Sequence, residues 1–243
     1  MPHLLASLLA VPRHIRGFAV RMLRPPGVFI ALLGPDGVGK TSILDTIERR
    51  LKPAFSAVKR HHWRPGLLPS LNRLRTGNEA VTPIGEKANM SSVEGRTRML
   101  PSLIRLIYYG IDFTLGYWLR IYTEMTRGNL VMCDRYFYDY FVASEPKRVT
   151  APRWVLRTFC AFYPRPQRVF VLTADPERVR ARRADLTIAE IERQNEALRA
   201  VAQIYPELEL IDSNLDINAT AERIIHRMAK NMPKNFTLRS ENE

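Results

Sequence analysis

The sequence contains little cysteine, with only Cys133 and Cys160 among its 243 residues. Two thiols at this separation provide neither a disulfide framework nor the ligand spacing of a zinc site. Such scarcity is typical of a reducing compartment, so we expect a cytoplasmic protein. Cys133 lies within an apolar run, and we expect its side chain to be buried.

The sequence also lacks a hydrophobic run long enough to cross a bilayer, because its most apolar stretch, 103–119, is interrupted by Arg105 and Asp112. The segment 1–26 is apolar at 4-LLASLLAV-11, but no Lys or Arg precedes that run as in a secretory signal. Apolar residues at helical spacing among arginines predict a basic amphipathic segment. Such a segment either packs on a protein surface or contacts an anionic membrane peripherally.

Acidic residues are scarce relative to basic ones, since 24 Asp and Glu face 37 Lys and Arg and leave a net charge of +13. This balance favours anionic partners, although an arginine-rich phosphate-handling enzyme would show it as well. The basic residues are interleaved with acids and form no stripe, which argues against a nucleic-acid interface. A hydrophobic content of 46% is enough for a sizeable core.

Apolar, β-rich runs alternate with helical patterns over residues 27–231, and this alternation predicts one α/β domain with a parallel sheet and helices on both faces. The predicted strands are 28–34, 57–63, 129–134, 168–174 and 208–212. The predicted helices are 39–51, 91–127, 152–162, 176–184, 187–203 and 217–230. The Pro/Gly/Asn-rich stretch 64–90 predicts a long functional loop, and 232–243 predicts a disordered tail.

Between the first strand and the first helix the chain reads 34-GPDGVGKTS-42, which matches the pattern G-x4-G-K-[ST] in full. Glycines let successive backbone N–H groups point into one concavity, and the following helix adds the positive end of its dipole. In this pattern the lysine reaches the β- and γ-phosphates, and the threonine hydroxyl binds Mg²⁺. The sequence therefore predicts an ATP and Mg²⁺ site formed by Gly34, Pro35, Asp36, Gly37, Val38, Gly39, Lys40, Thr41 and Ser42.

The third predicted strand ends in 134-DRYFYDY-140. A carboxylate at this position, Asp134, lies beside the phosphate loop and can hold Mg²⁺ through water. The fork of donors on Arg135 suits a phosphate group in the cleft. The tyrosines at 136, 138 and 140 either stack on a planar acceptor or form part of the core, and the core is expected for at least two of them.

Two further segments place arginines after strands. Arg64, in 60-RHHWRPG-66, follows the second strand and is predicted to bind an acceptor phosphate. After the fourth strand, the segment 176–190 is predicted to be a lid, in which Arg182 and Arg183 neutralise a phosphoryl group in transfer. The alternative for this segment is a solvated, charged helix face.

The order of these motifs resembles that of thymidylate kinase over residues 28–230. The resemblance implies a P-loop NTPase fold with a five-stranded parallel sheet of order 2-3-1-4-5, a homodimer, and transfer of the ATP γ-phosphate to dTMP. It implies that Asp36 faces the sugar or phosphate of the acceptor, and that Arg64 belongs to the family's arginine segment. Gly37 stands where some members carry a catalytic arginine, which gives weight to the lid arginines.

The acceptor half of the chain departs from the family pattern. The helix that offers an arginine to thymine in the family reads 108-YYGIDFTLGYW-118 here, without that arginine. The candidate acceptor-binding residues are Arg64, Arg135, Tyr136 and Asp139.

Three functions remain open at this point. The first is a nucleoside monophosphate kinase, with dTMP as the default acceptor. The second is a kinase of the same fold that acts on a sugar or glycan intermediate of surface-polysaccharide synthesis, for which Asp36 and Asp139 are the candidate bases. The third is an ATP-dependent binding or scaffold protein without turnover of a small molecule.

Overall fold

The structure is a computed structural model that describes residues 21–71, 95–142, 152–214 and 216–230. Three predictions lie wholly or largely outside the described residues. These are the amphipathic segment 1–26, of which only residues 21–26 are described, most of the long loop at 64–90, and the tail at 232–243.

Five parallel strands form one sheet in the order β2-β3-β1-β4-β5, which confirms the predicted sheet. Each strand lies within one residue of its predicted bounds. The strands are β1 (Val28–Leu33), β2 (Val58–His62), β3 (Leu130–Asp134), β4 (Arg168–Thr173) and β5 (Leu208–Asp212).

Helices connect the strands, and all but the short helix Asp139–Val142 lie where the sequence predicted helices. They are α1 (Lys40–Leu51), α2 (Gly95–Gly116), α3 (Thr123–Thr126), α4 (Asp139–Val142), α5 (Arg153–Phe162), α6 (Pro176–Arg182), α7 (Ile188–Ala202) and α8 (Ile217–Lys230). A short 3₁₀ turn, Lys52–Ala54, extends α1, and a π-helical segment, Tyr117–Tyr122, joins α2 to α3. The periodicity of the sequence did not predict this π segment.

The central strand β1 is buried on both faces, as expected for a strand covered by helices on each side. Side chains alternate between faces along a strand, so β1 divides its residues between two hydrophobic clusters. Phe29, Ala31 and Leu33 pack with α2, β3 and α5, whereas Ile30 and Leu32 pack with α1 and α8. Because helices cover both faces of β1, the carboxyl end of this central strand is held in a fixed position.

The aromatic residues after β3 belong to the core. Tyr136, Tyr138 and Tyr140 are all buried, and the Tyr136 hydroxyl donates a hydrogen bond to the Pro164 carbonyl. The hydroxyl of Tyr138 bonds to the carboxylate of Glu207. The ring of Tyr136 has no solvent-accessible surface, and this position differs from the acceptor contact expected from the sequence.

Both cysteines are buried free thiols in the structure. Burial raises the pKa of Cys133 well above its usual value and the pKa of Cys160 to about 12. Within the described ranges, no helix combines the length and apolar character that a membrane span requires.

The helices of the lid segment start at capped residues. Pro176 occupies the first turn of α6, and the Asp175 side chain accepts a hydrogen bond from the Glu177 N–H. The Thr187 side chain accepts from the Glu190 N–H at the start of α7, as in a capping box. The turn between α6 and α7 comprises residues 183–187, and the Thr187 cap marks its end.

Candidate functional site

The loop between β1 and α1 has the backbone of a phosphate-binding loop. Gly37 and Gly39 have φ angles of +87° and +99°, in the left-handed region that favours glycine. The helix α1 begins immediately afterwards at Lys40, so its N-terminal N–H groups and dipole face the loop. A side chain at either glycine would strain the turn, which is why these positions tolerate no Cβ at low cost.

Lys40 is buried at the base of this loop. Its Nζ donates to the carbonyl oxygens of Gly34 at 2.9 Å and of Pro35 at 2.8 Å, and it lies 3.9 Å from the Asp36 carboxylate. These contacts hold the ammonium against the inner side of the loop, beside the concavity that the glycines shape.

Asp134 and Thr41 are the residues that fit Mg²⁺. Asp134 is aligned with Leu32 of β1 in the sheet, and its Oδ1 is buried without a hydrogen-bond partner among the described residues. Its Oδ2 lies 3.7 Å from Nδ1 of His62. Thr41 is exposed in the first turn of α1. A buried oxygen that lacks a donor suits a hard cation with oxygen ligands and bound water.

Arg135 links β3 to the phosphate loop. Its backbone has a φ of +70°, unusual for a residue other than glycine, and its N–H donates to the Leu32 carbonyl at 2.8 Å. The buried guanidinium ion-pairs with the carboxylate of Asp36 and, at 2.8 Å, with that of Asp139. The turn thus directs the Arg135 guanidinium toward the loop. Its backbone conformation is sparsely populated, and such conformations are common at functional sites.

The two carboxylates on Arg135 differ in exposure. The side chain of Asp36 is 41% exposed, whereas that of Asp139, in α4, is 4% exposed. Asp36 is therefore accessible to solvent while it is paired with Arg135, and Asp139 holds the guanidinium from within the protein.

The predicted lid arginines lie over the loop. A Cβ added at Gly37 would stand 2.5 Å from Cγ of Arg183, and one at Gly39 would stand 3.6 Å from Nη1 of Arg182. The Nε of Arg183 also ion-pairs with Asp185 at 3.0 Å. The hydrogen bond from this guanidinium lowers the pKa of Asp185. The structure thus brings both arginines, predicted from a charge run, against the glycines.

Arg64 does not stand free in the cleft. Its Nη1 lies 2.8 Å from the carboxylate of the fully buried Asp112 and 2.6 Å from the Leu68 carbonyl, and its guanidinium stacks over Tyr109. The same carboxylate accepts from the backbone N–H groups of Gly66 at 3.2 Å and of Leu68 at 2.6 Å.

The segment 64–68 is held against α2 at a second point. Gly116 lets the backbone approach closely, since a Cβ there would stand 2.5 Å from Cβ of Pro65. Nη1 of Arg120, in the π-helical segment, donates to the carbonyls of Pro65 at 3.1 Å and Gly66 at 2.7 Å. Sequence reasoning missed Asp112 as a structural residue, although a lone carboxylate inside the apolar run 103–119 was the available signal.

A cavity of about 710 Å³ lies at the carboxyl ends of β4 and β5, on the other side of the phosphate loop from β3. Asn195 lines it, and its Oδ1 is buried without a hydrogen-bond partner in the described part of the chain, while its Nδ2 donates to the Ala174 carbonyl. Asn214 closes one edge by accepting from the Asp175 N–H at 2.8 Å. Neither asparagine was predicted from the sequence, which carries no motif around them.

A scan against models of known protein families finds no match. Among solved structures, the crystal structure of thymidylate kinase from Ehrlichia chaffeensis is similar, with a TM-score of 0.55 and 15% sequence identity; the match covers 83% of this chain and 98% of that chain. At this identity the likeness shows the fold alone, an α/β fold with a five-stranded parallel sheet.

Proposed function

We propose that this protein is an ATP-dependent phosphotransferase. The observation that carries the proposal is the convergence of three groups on one glycine loop: Lys40 beneath it, the arginines of the lid above it, and Asp134 beside it. A phosphoryl group in transfer needs such positive charge around its oxygens, held in place before the reaction.

Each residue has a role in this reaction. The N–H groups of residues 37–42 bind the phosphates, and Lys40 exchanges its carbonyl contacts for β- and γ-phosphate oxygens. The guanidinium groups of Arg182 and Arg183 stabilise the charge on the transferring group. Thr41 and Asp134 would hold Mg²⁺, which supplies charge neutralisation between the β- and γ-phosphates when it is bound.

The cavity beside Asn195 is proposed to receive the base of the donor nucleotide. It opens at the carboxyl ends of β4 and β5, where open α/β sheets bind ligands. An unpaired amide oxygen at Asn195 can accept a hydrogen bond from an exocyclic amino group such as that of adenine.

The resemblance and the fold likeness favour a nucleoside monophosphate, dTMP by default, as the acceptor. The contacts of Arg64 favour the second candidate, a kinase that acts on a sugar or glycan intermediate, because the arginine expected on an acceptor phosphate is already paired within the protein. A nucleotide-dependent scaffold protein is the outcome left if ATP binds and no phosphoryl group is transferred.

Phosphoryl transfer from γ-labelled ATP tests the proposal. We expect Mg²⁺-dependent ADP formation by the full chain, and a loss of at least about 100-fold in Lys40→Ala, because the mutation removes a charge-assisted contact to the transferring group. Lys52→Ala is the matched control, since Lys52 is exposed in the turn after α1. Turnover that persists in Lys40→Ala, or ATP binding with no turnover in the wild type, would contradict the proposal.

A further inference from the structure

We infer that the acceptor offers a neutral hydroxyl group, not a phosphate, and that the Asp36 carboxylate takes the proton of this hydroxyl. The inference rests on the proposed function and concerns the substrate class of the same site. The observations behind it are the ion pairs of the arginines at the carboxyl ends of β3 and β2, which is the side from which the acceptor must approach.

The topology separates two halves of the site. The phosphate loop follows β1 at the middle of the order β2-β3-β1-β4-β5, and the cavity proposed for the donor base lies on the β4/β5 half. A second substrate that reaches the γ-phosphate must therefore come from the β3/β2 half. There the residues after the strand ends are Arg135 and the segment 63–68.

Two arginines that follow the strand ends on this half, among the described residues, are already compensated by carboxylates. Arg135 is shared by Asp36 and Asp139, so two carboxylates face one guanidinium. Arg64 is paired with the fully buried Asp112.

A phosphate dianion on this half would meet carboxylates at both of these arginines. To replace Asp112 on Nη1 of Arg64 it would have to displace a buried carboxylate that also holds two backbone N–H groups, and an unpaired buried charge would remain. At Arg135 it would approach the negative charge of Asp36 directly. A hydroxyl group carries no charge to the site and leaves these pairs intact, so the electrostatics favour it.

A hydroxyl acceptor needs a base, and Asp36 is the residue placed to act as one. Asp36 belongs to the loop proposed to bind the phosphates, and its side chain is 41% exposed. The ion pair with Arg135 holds its carboxylate in place. As the hydroxyl oxygen forms its bond to the γ-phosphorus, the proton passes to Asp36. The bond from phosphorus to the β–γ bridging oxygen breaks, and ADP leaves with that electron pair. Asp139, buried behind the guanidinium, is a positioning residue.

The test uses the full chain with Mg²⁺, γ-labelled ATP and acceptors in matched pairs that differ by one phosphate: thymidine and dTMP, and free hexoses with their 1-phosphates. The ³¹P spectrum identifies the product, because a phosphomonoester and a diphosphate resonate at different shifts. We expect a phosphomonoester from a hydroxyl acceptor. A diphosphate formed from dTMP or a sugar phosphate would overturn the inference and leave the proposed function standing.

Variants at Asp36 test its role as the base, and a variant at another carboxylate serves as the control. Asp36→Asn is expected to lower the transfer rate by about 100-fold or more, the usual contribution of a general base, whereas Asp36→Glu restores part of it. Asp45→Asn, an exposed carboxylate paired with Arg60, is the matched control. If only water accepts the phosphoryl group, the same loss of phosphate release in Asp36→Asn supports the inference, and an unchanged rate overturns it. If even wild-type protein releases no ADP, the proposed function fails and the inference fails with it.

Discussion

Position 37 accommodates no side chain, for two independent reasons. Its φ of +87° disfavours an L side chain, and the space beside it is filled by the aliphatic part of Arg183. The lid arginine and the bare backbone of the loop are thus complementary. The packing explains why an arginine at 183 and a glycine at 37 belong together in this chain.

Gly37→Ala therefore tests the lid contact. The new methyl group would push Arg183 away from the loop, and we expect the rate of phosphoryl transfer to fall by about tenfold or more. Gly128→Ala is the control, because Gly128 has a similar φ of +80° but meets only Ser56 at 3.4 Å and Pro26 at 3.9 Å. Steady-state kinetics of both variants separates backbone strain, common to the two, from displacement of the arginine. Equal losses in both would argue against a role for the contact.

At the scale of elements, α2 and its π-helical extension hold the segment that follows β2. One buried carboxylate, Asp112, serves an arginine and two backbone donors, and Arg120 serves two carbonyls of the same segment. The π-helical turn places Arg120 beside this segment, and such turns are frequent at functional sites. The segment after β2 is therefore fixed against α2 and the π-helical segment at two points.

Asp112→Ala should remove the contacts that this carboxylate makes with the segment after β2. We expect the free energy of unfolding to fall by about 3–5 kcal/mol, because Arg64 and two N–H groups lose their partner inside the protein. Urea denaturation followed by circular dichroism measures the change. Asp45→Ala, which breaks an exposed ion pair, should cost less than about 1 kcal/mol. Comparable losses for the two variants would show that Asp112 contributes no more than a surface carboxylate.

At the scale of the molecule, α2 and the π-helical segment that follows it share an exposed apolar face. Large side chains at helical spacing form it: Ile104, Ile107, Ile111, Leu115, Trp118 and Leu119. We propose that a second copy of the chain covers this face, in keeping with the homodimer that the resemblance implies. Contiguous exposed apolar surface of this kind marks a site of association.

Ile111→Glu places a charge in the middle of this face, and we expect the variant to sediment as a monomer where the wild type sediments as a dimer. Leu210→Glu, at an exposed position on β5 outside the face, is the control and should leave the mass unchanged. A wild-type chain that sediments as a monomer at micromolar concentration would refute the dimer.

Stability at alkaline pH should reflect the buried thiol of Cys160. Burial raises its pKa from 9.0 to about 12, so below about pH 9 the thiol is protonated in both states and the stability is fully present. Above that pH the unfolded thiol loses its proton first, and the free energy of unfolding falls by up to about 1.4 kcal/mol per pH unit until about pH 12. Urea midpoints measured across this range should fall less steeply in Cys160→Ala. An identical slope would contradict the assignment.

Sequence patterns predicted the strands and most of the helices well. The strands of a doubly covered sheet are short continuous apolar runs, and helices show their own periodicity and caps, so both signals are local. The loop at residues 34–42 is also a local signal, because its glycines and Lys40 act within one turn of chain. The π-helical segment escaped prediction because it shares the composition of the α-helix around it.

The sequence by itself determined the fold class and the positions of the glycine loop after β1 and of the arginines after β4, because each depends on residues near one another in the chain. Only the tertiary structure decided which arginines are available. Arg64 and Asp112 are 48 positions apart, and Asp36 and Arg135 are 99 apart, so their pairing depends on how β2, α2 and β3 pack. Charge neutralisation is a property of distance in space, and only folding sets those distances.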